Sequence, residues 1–275
     1  MSERELTIPE LIDARKNGRL MSYSSVSLWQ RCPLAWKFRY VDKIETVATR
    51  ALLMGSLFDI LCETARSGEK DYCAITAQLD TESVNIVLDR YDKYMHHIDY
   101  DNDKLQMLVY APIGKGVEFP LYLHGYIDVV KRHVDISPDF IGDDVNAPGY
   151  IGTCNYTIDQ LIDTKFCQKP VNGKAKDAWK QQARFYLWMM GQMGYDVKEF
   201  WFHVLNGETV DIDIIKYKPK QDTVDRVPDE VLEAFYEMKD EHYWPVFDKH
   251  CAWCDHKQAC ENLTTRRLSN ETAID

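Results

Sequence analysis

Three cysteines fall within ten residues near the C-terminus, in Cys251-Ala252-Trp253-Cys254 and at Cys260, and a fourth stands alone in Arg31-Cys32-Pro33. Eight cysteines in 275 residues are too few for a disulfide scaffold, and a dense cluster in a reducing compartment points to metal ligation. Three thiolates need a fourth ligand, and Cys32 is the best candidate. A shared site would tie the two ends of the chain together, so that everything between them folds as one closed excursion. Four thiolates suit a [4Fe–4S] cluster or a structural zinc. His250 and His256 are nitrogen ligands in the zinc alternative, and unrelated free thiols are the plain alternative to both. Cys62, Cys73, Cys154 and Cys167 lack such spacing and read as small buried residues.

Hydrophobic residues make up 45% and charged residues 28% of the chain, an ordinary globular balance. Apolar runs such as Phe185–Met190 are far short of a bilayer span. The start, Met-Ser-Glu-Arg-Glu-Leu, lacks the basic and apolar character of a signal peptide, so an intracellular protein with no membrane partner is expected. The net charge of −11 argues against indiscriminate polyanion binding. The positive charge is nevertheless concentrated. Lys165 to Arg184 holds six basic residues and one acid, and Arg31 to Arg50 holds five basic residues and two acids.

Residues 1–21 read as a lead-in helix and linker, 22–262 as a single domain and 263–275 as a polar tail. Ser24 and Ser25 are N-cap candidates for a helix running to Cys32, and Pro33 restarts the chain as a second helix. Helical patterns follow at 52–66 and 80–97. The period then changes. Phe119, Leu121, Leu123, Gly125, Ile127 and Val129 alternate with Tyr122, Tyr126 and Asp128 as in a strand. Residues 131–157 read as a long loop or irregular hairpin and Thr157–Phe166 as the next strand. A strong helix follows at 177–193. Two strands, Glu199–Leu205 and Thr209–Tyr217, are predicted to meet at an Asn206-Gly207 turn, and a last helix spans 228–243. The pattern is that of a mixed α/β domain.

Asp128 lies on the first central strand and Asp163-Thr164-Lys165 on the second. Positions i and i+2 of a strand share a face, so Asp163 and Lys165 project together, and Asp128 joins them if the strands are neighbours. Two carboxylates suit a hard cation such as Mg²⁺ or Mn²⁺, with sites left for water and a phosphate oxygen. The lysine can orient that water or stabilise developing negative charge. An exposed strand ion pair is the ordinary alternative. Gln182 and Tyr186 are i and i+4 on the following helix and share a face. Asp59, expected on the first turn of a helix after Gly55, is either a third acidic ligand or a carboxylate favoured by the helix dipole. Glu63 is a weaker candidate one turn on.

Taken together, the motifs resemble PD-(D/E)XK nucleases of the RecB-like type, in the branch with an iron–sulfur staple that includes CRISPR-adaptation nucleases, the AddB nuclease domain and phage-type exonucleases. The matching pieces run in family order: Ser25, Ser27 and Cys32-Pro33 with Trp36, Phe38 and Tyr40; Gly55 to Glu63; Gly125 to Asp128; Asp163 to Lys165; Gln182 to Tyr186; and Cys251, Cys254 and Cys260. The resemblance implies a restriction-endonuclease-like, four-stranded mixed sheet flanked by helices, its N- and C-terminal parts joined by the four-cysteine cluster. It implies Asp128, Asp163 and the carbonyl of Thr164 as ligands of Mg²⁺ or Mn²⁺, Lys165 as the catalytic lysine, and Gln182 and Tyr186 as active-site helpers. Cys32, Cys251, Cys254 and Cys260 would hold a [4Fe–4S] cluster. Where family members often carry a histidine ligand, this chain has Asp59. The segment between Asp128 and Asp163 is longer than usual and implies an inserted hairpin carrying Asp135, Asp139, Asp143 and Asp144.

The expected activity is metal-dependent hydrolysis of DNA, on single strands or ends, with a helicase or recombination partner a possibility. Lys169, Lys174, Lys176, Lys180 and Arg184 stand where a phosphate backbone would pass, and Trp179, Tyr126 or Trp36 offer rings for unpaired bases; for Trp36 a core position is preferred. The alternatives are an inactive nuclease-fold scaffold that binds nucleic acid or protein, and a zinc-stapled protein of unrelated function.

Overall fold

The structure, a computed structural model, describes residues 8–46, 48–67, 72–99, 103–114, 121–135, 155–167, 171, 173–197, 199–208 and 212–263. In chain order the elements are α1 (Ile8–Lys16), β1 (Leu20–Ser22), α2 (Tyr23–Arg31), α3 (Pro33–Tyr40), α4 (Arg50–Ser67), α5 (Cys73–Thr76), α6 (Thr81–Met95), β2 (Lys104–Ile113), β3 (Leu121–Asp135), β4 (Asn155–Cys167), α7 (Asp177–Gln192), β5 (Glu199–Asn206), β6 (Asp213–Tyr217), α8 (Gln221–Asp225) and α9 (Val227–Lys239). A 3-10 turn, Lys249–Trp253, and a helical stretch at 257–263 follow. Among the described residues no helix is long and apolar enough to cross a membrane.

The chain divides into two compact units. The first comprises Met1–Ala48, Pro112–His124 and Asp225–Asp275. Its α2 is capped by Ser22, whose Oγ accepts the Ser25 N–H at 3.2 Å, and not by the expected Ser24 or Ser25. The sequence after Ser22 is already helical, which leaves Ser22 as the last extended residue with a usable hydroxyl. Cys32 is extended between α2 and α3 (φ −163°, ψ 103°). Pro33 explains both sides of that break: it excludes the α conformation from the residue before it and supplies the fixed φ that starts α3. Trp29 is buried, and its indole N–H donates to Glu237 of α9 at 2.7 Å. Trp36 donates to Ser25 Oγ at 2.9 Å and stacks on Tyr243, so it is a packing residue as preferred. Within this unit β1 pairs in parallel with Tyr122–His124 of β3.

The second unit comprises Thr49–Ala111 and Gly125–Val224. β2 and β4 flank β3, β5 runs parallel to β4, and β6 runs antiparallel to β5. Helix α7 covers one face, where Trp179 and Tyr186 lie on Phe202 and Phe200. Helices α4 and α6 cover the other, where Leu57, Phe58, Val87 and Tyr94 pack with Val129, Ile162 and Leu205. A sheet buried on both faces reads as near-continuous apolar sequence, which is why Phe200–Leu205 shows little alternation. The polar residues of β4 therefore stand out as exceptions that demand partners.

The architecture is the expected mixed α/β sheet flanked by helices, with differences in detail. Among the described residues the sheet of the second unit has β2 in addition to the four strands that the resemblance implies. The predicted Asn206-Gly207 turn does not form. Asn206 still pairs with Cys167 of β4, its carbonyl accepts from Arg90, and β6 begins only at Asp213. β3 and β4 extend the 131–157 segment into a paired ribbon as far as Asp135 and Asn155, with a register shift at Lys131/Arg132. Asp139, Asp143, Asp144 and Cys154 lie outside the described residues. Helix α9 stops at Lys239, short of the predicted 243, where Glu241 turns left-handed.

Candidate active site

The described candidate residues of the catalytic set, Asp59, Asp128, Asp163, Thr164, Lys165, Gln182 and Tyr186, all lie in the second unit. Alternation along β4 turns Asp163 and Lys165 toward α7 and Thr164 toward α6, where its Oγ1 lies 3.1 Å from the Tyr94 hydroxyl. Asp163 is 3% exposed, and its Oδ2 stands 2.6 Å from Lys165 Nζ. That oxygen accepts no well-directed hydrogen bond despite the short charge contact. Gln182 bridges the pair: its Nε2 donates to Asp163 Oδ1 at 3.0 Å, and its Oε1 accepts from Lys165 Nζ at 2.9 Å. The opposite demands of carboxylate and ammonium fix which end of the amide faces which. Gln182 Nε2 also lies 3.4 Å from the Tyr186 hydroxyl, and the Tyr186 ring crosses Gly125 of β3. The helix spacing that placed Gln182 and Tyr186 on one face is thus realised.

Asp128 lies one step beyond the Val129–Ile162 pair, so the antiparallel register carries it to the level of Asp163. Its Oδ2 accepts the Thr164 backbone N–H at 2.7 Å, and its Oδ1 accepts from Gln106 Nε2 at 3.4 Å. Gln106 and Tyr94 are site residues that the sequence reading missed. Neither belongs to a motif, and although Met107, Val109, Ala111 and Ile113 alternate along β2, the strand carries Pro112 on its other face, a residue that argues against a strand. Asp59 lies midway along α4, not on its first turn, because α4 begins at Arg50. The dipole of a helix start therefore does not account for this carboxylate.

The acids depress one another's ionisation. Burial, then Asp163 and Asp59, push Asp128 up to about 8 against the opposing pull of Lys165 and the Thr164 N–H. Desolvation by the surrounding protein pushes Asp59 up to about 6, with Lys165 opposing and Asp163 adding, although the residue keeps an exposed surface. Asp163 is raised by burial in spite of Lys165 and Gln182. Burial alone would lower Lys165, but Asp163, Asp128 and Asp59 outweigh it and hold the ammonium charged. Burial, then Asp59 and Asp128, raise the Cys62 thiol, which is therefore a neutral neighbour of the site.

One lysine against three carboxylates, of which Asp163 is buried, Asp128 half-buried and Asp59 exposed, leaves an excess of negative charge that a hard divalent cation would neutralise. The donor set fits such an ion chemically: the oxygens are hard, and Asp163 Oδ2 retains acceptor capacity. Among the described residues, no group of three or more His, Cys, Asp or Glu side chains is arranged to hold a metal ion, so any ion here would draw on backbone oxygens and water as well.

The basic residues separate into two kinds. Lys174 is exposed, and Lys176 sits at the N-cap of α7 with its Nζ 5.0 Å from the centre of the Trp179 ring. Lys180 pairs with Asp177 at 2.9 Å. Arg184 is partly buried and donates to the Thr223 carbonyl at 2.7 Å. Lys169 lies outside the described residues. Trp179 is core, packed on Phe202, whereas Tyr126 is 54% exposed.

In the first unit, Cys32, Cys251, Cys254 and Cys260 line one cavity of about 130 Å³, floored by Leu34, Ala35 and Phe38. The break at Pro33 presents Cys32, and the 3-10 turn presents Cys251 and Cys254. His256 lines the same cavity, is buried, and has an Nδ1 without a hydrogen-bond partner. Burial, then Cys32, Cys254 and Cys251, raise the Cys260 thiol. His250 is exposed and lies 3.8 Å from Asp248.

No curated protein matches the sequence. A crystal structure of a protein called SSO0001 aligns over 90% of this chain and 91% of its own, at 11% identity and a TM-score of 0.45. The crystal structure of a protein from Eubacterium rectale, described as a "Putative exonuclease", aligns over 92% of this chain and 94% of its own, at 16% identity and a TM-score of 0.56, and so shares the fold. The segment that carries Asp163, Lys165, Gln182, Tyr186 and the three clustered cysteines, residues 159–261, matches the family model of the PD-(D/E)XK nuclease superfamily.

Proposed function

We propose that the chain is a divalent-metal-dependent deoxyribonuclease, an exonuclease acting on single-stranded DNA or DNA ends, with residues 22–262 as its nuclease domain. The observation that carries this reading is the Gln182 amide spanning Asp163 and Lys165, with a second, half-buried carboxylate, Asp128, on the neighbouring strand. A merely structural ion pair needs neither the second acid nor the glutamine. The exonuclease part draws on the description of the Eubacterium rectale protein.

Asp128 and Asp163, with the Thr164 carbonyl and Asp59, would hold Mg²⁺ or Mn²⁺, which when bound polarises the scissile phosphate and acidifies a water. Lys165 supplies a fixed positive charge for the negative charge that develops on the phosphate. Gln182 holds the ammonium and the Asp163 carboxylate in register, so neither has to reorient during reaction. Tyr186 supports Gln182 from the same helix. Lys169, Lys174, Lys176 and Lys180 would lead the phosphate backbone in, and Arg184 is the weakest member of that set because its guanidinium is already engaged. The protein would work inside a cell, where a helicase or recombination partner could deliver the strand.

The four cysteines would hold a [4Fe–4S] cluster, with zinc the lesser alternative. Tetrahedral zinc at about 2.3 Å from each sulfur needs thiolates roughly 3.8 Å apart. The four thiols share the lining of one cavity of about 130 Å³, although among the described residues no three His, Cys, Asp or Glu side chains are already arranged to hold a metal ion.

The test is digestion of end-labelled single- and double-stranded DNA with Mg²⁺ or Mn²⁺, beside the Lys165→Ala and Asp163→Ala variants. Metal-dependent release of nucleotides from an end, lost in both variants while their folds persist, is the expected result. Undiminished cleavage in either variant would overturn the site, and no cleavage by the parent protein would overturn the activity.

A further inference from the structure

Three residues other than glycine adopt left-handed backbone among the described residues: Lys43 (φ 51°), Gln106 (φ 49°) and Glu241 (φ 54°). Lys43 follows α3 and Glu241 follows α9, where a left-handed residue commonly ends a helix. Gln106 lies inside β2, and no helix end accounts for it. Left-handed geometry in a strand breaks the alternation of side chains and re-aims one of them. An L side chain held there costs free energy that persists only where the surroundings over-determine it, and such residues gather at functional sites.

The side chain so aimed reaches the candidate active site. Gln106 Nε2 donates to Asp128 Oδ1, while the Thr164 N–H donates to Oδ2 of the same carboxylate. Gln106, Asp59, Cys62, Asp128 and Thr164 line a cavity of about 10 Å³, room for about one small atom. The Tyr94 hydroxyl at Thr164 Oγ1 closes this side from α6. The Asp128 carboxylate is thus gripped from both ends, by a backbone group of the Asp-x-Lys strand and by an amide from a strand that carries no motif.

We propose that Gln106 is a positioning residue for a divalent cation, its left-handed backbone retained because it delivers the amide that sets the rotation of the Asp128 carboxylate. The proposal rests on the reading of Asp128 and Asp163 as a metal site. Partners that orient a ligating carboxylate typically change metal affinity by about 10–100-fold when removed.

The closing experiment uses the full chain without DNA and reads Mn²⁺ binding from the electron paramagnetic resonance of the free ion, together with Tm. Gln106→Gly removes the amide but suits positive φ. It should weaken Mn²⁺ binding about 10–100-fold while Tm holds or rises. Gln106→Leu, which keeps the bulk and loses the donor, should weaken binding equally. Opposite movements of affinity and Tm in the glycine variant are what a merely structural residue would not produce. Unchanged Mn²⁺ affinity in both variants, with binding abolished in Asp128→Asn, would overturn the role of Gln106 and leave the metal site standing. A fall in Tm of the glycine variant in step with affinity would also overturn it. Mn²⁺ binding untouched by Asp128→Asn would sink the metal-site reading itself, and this proposal with it.

Discussion

Gly125 and Tyr186 occupy a space that holds either a Cβ or a phenol ring: a Cβ built on Gly125 would stand 2.5 Å from Cε1 of Tyr186 and 3.3 Å from its hydroxyl oxygen. The ring is stacked on Phe200 behind it and cannot simply retreat. Tyr186 touches Gln182, which in turn touches Asp163 and Lys165. A missing methyl group on β3 is therefore felt at the lysine. Gly125→Ala is expected to lower stability by about 1–3 kcal/mol through overpacking. It should lower the cleavage rate by up to about 100-fold, the cost of a misplacement near 1 Å. Denaturant unfolding and single-turnover cleavage measure the two effects. Normal turnover in a destabilised Gly125→Ala protein would show that the Tyr186 position is irrelevant to chemistry.

The raised carboxylates give a sign for the pH dependence. Asp128 takes up a proton in the fold at about 8, against 3.8 when unfolded, and Asp59, raised to about 6 but exposed and so screened by solvent, adds less. The native state binds more protons than the unfolded one across that window, so stability falls as pH rises from about 4 to about 8. Melting in a chelator should show Tm dropping by several degrees over this range, and Mg²⁺ or Mn²⁺ should reverse the drop by binding the ionised acids. Asp128→Asn should flatten the profile. A Tm that climbs with pH in the chelator would contradict the carboxylate cluster.

The cysteine cavity is expected to matter for structure before chemistry, because its thiols belong to a different unit from the acids. Cys254→Ser should remove visible absorbance and bound iron from anaerobically purified protein and lower Tm. Single-turnover cleavage by the fraction that remains folded should fall less than about tenfold, since no catalytic group is lost. Stoichiometric zinc without iron in the parent protein would replace the cluster with a single ion.

Lys174 and Arg184 should respond differently to charge removal. Lys174→Ala is expected to weaken DNA binding uniformly across sequences and to reduce the salt dependence by about one phosphate contact. Arg184→Ala instead removes the hydrogen bond to the half-buried Thr223 carbonyl and should cost about 0.5–1.5 kcal/mol of stability. Binding isotherms at several salt concentrations, with a melt on each variant, separate the two. An unchanged salt slope for Lys174→Ala would remove it from the path of the phosphates.

Local chemistry made much of the site legible. The i,i+2 geometry of Asp163 and Lys165 and the i,i+4 geometry of Gln182 and Tyr186 follow from strand and helix periods alone, and both hold in three dimensions. The break at Cys32 was legible for the same reason, since Pro33 acts only on its neighbours. Asn206-Gly207 shows the limit. A strong turn signal lost to pairing with β4, because a buried backbone group satisfied by a neighbouring strand outweighs a local preference.

The amino-acid order by itself determined which residues could act together within one strand or helix. Only the tertiary structure decided what crosses between elements. It set Asp128 level with Asp163, brought Gln106 from an unmarked strand onto Asp128, and laid Tyr186 across Gly125. Periodicity reports which way a side chain faces, but a contact between distant segments depends on register and packing, which no single segment encodes.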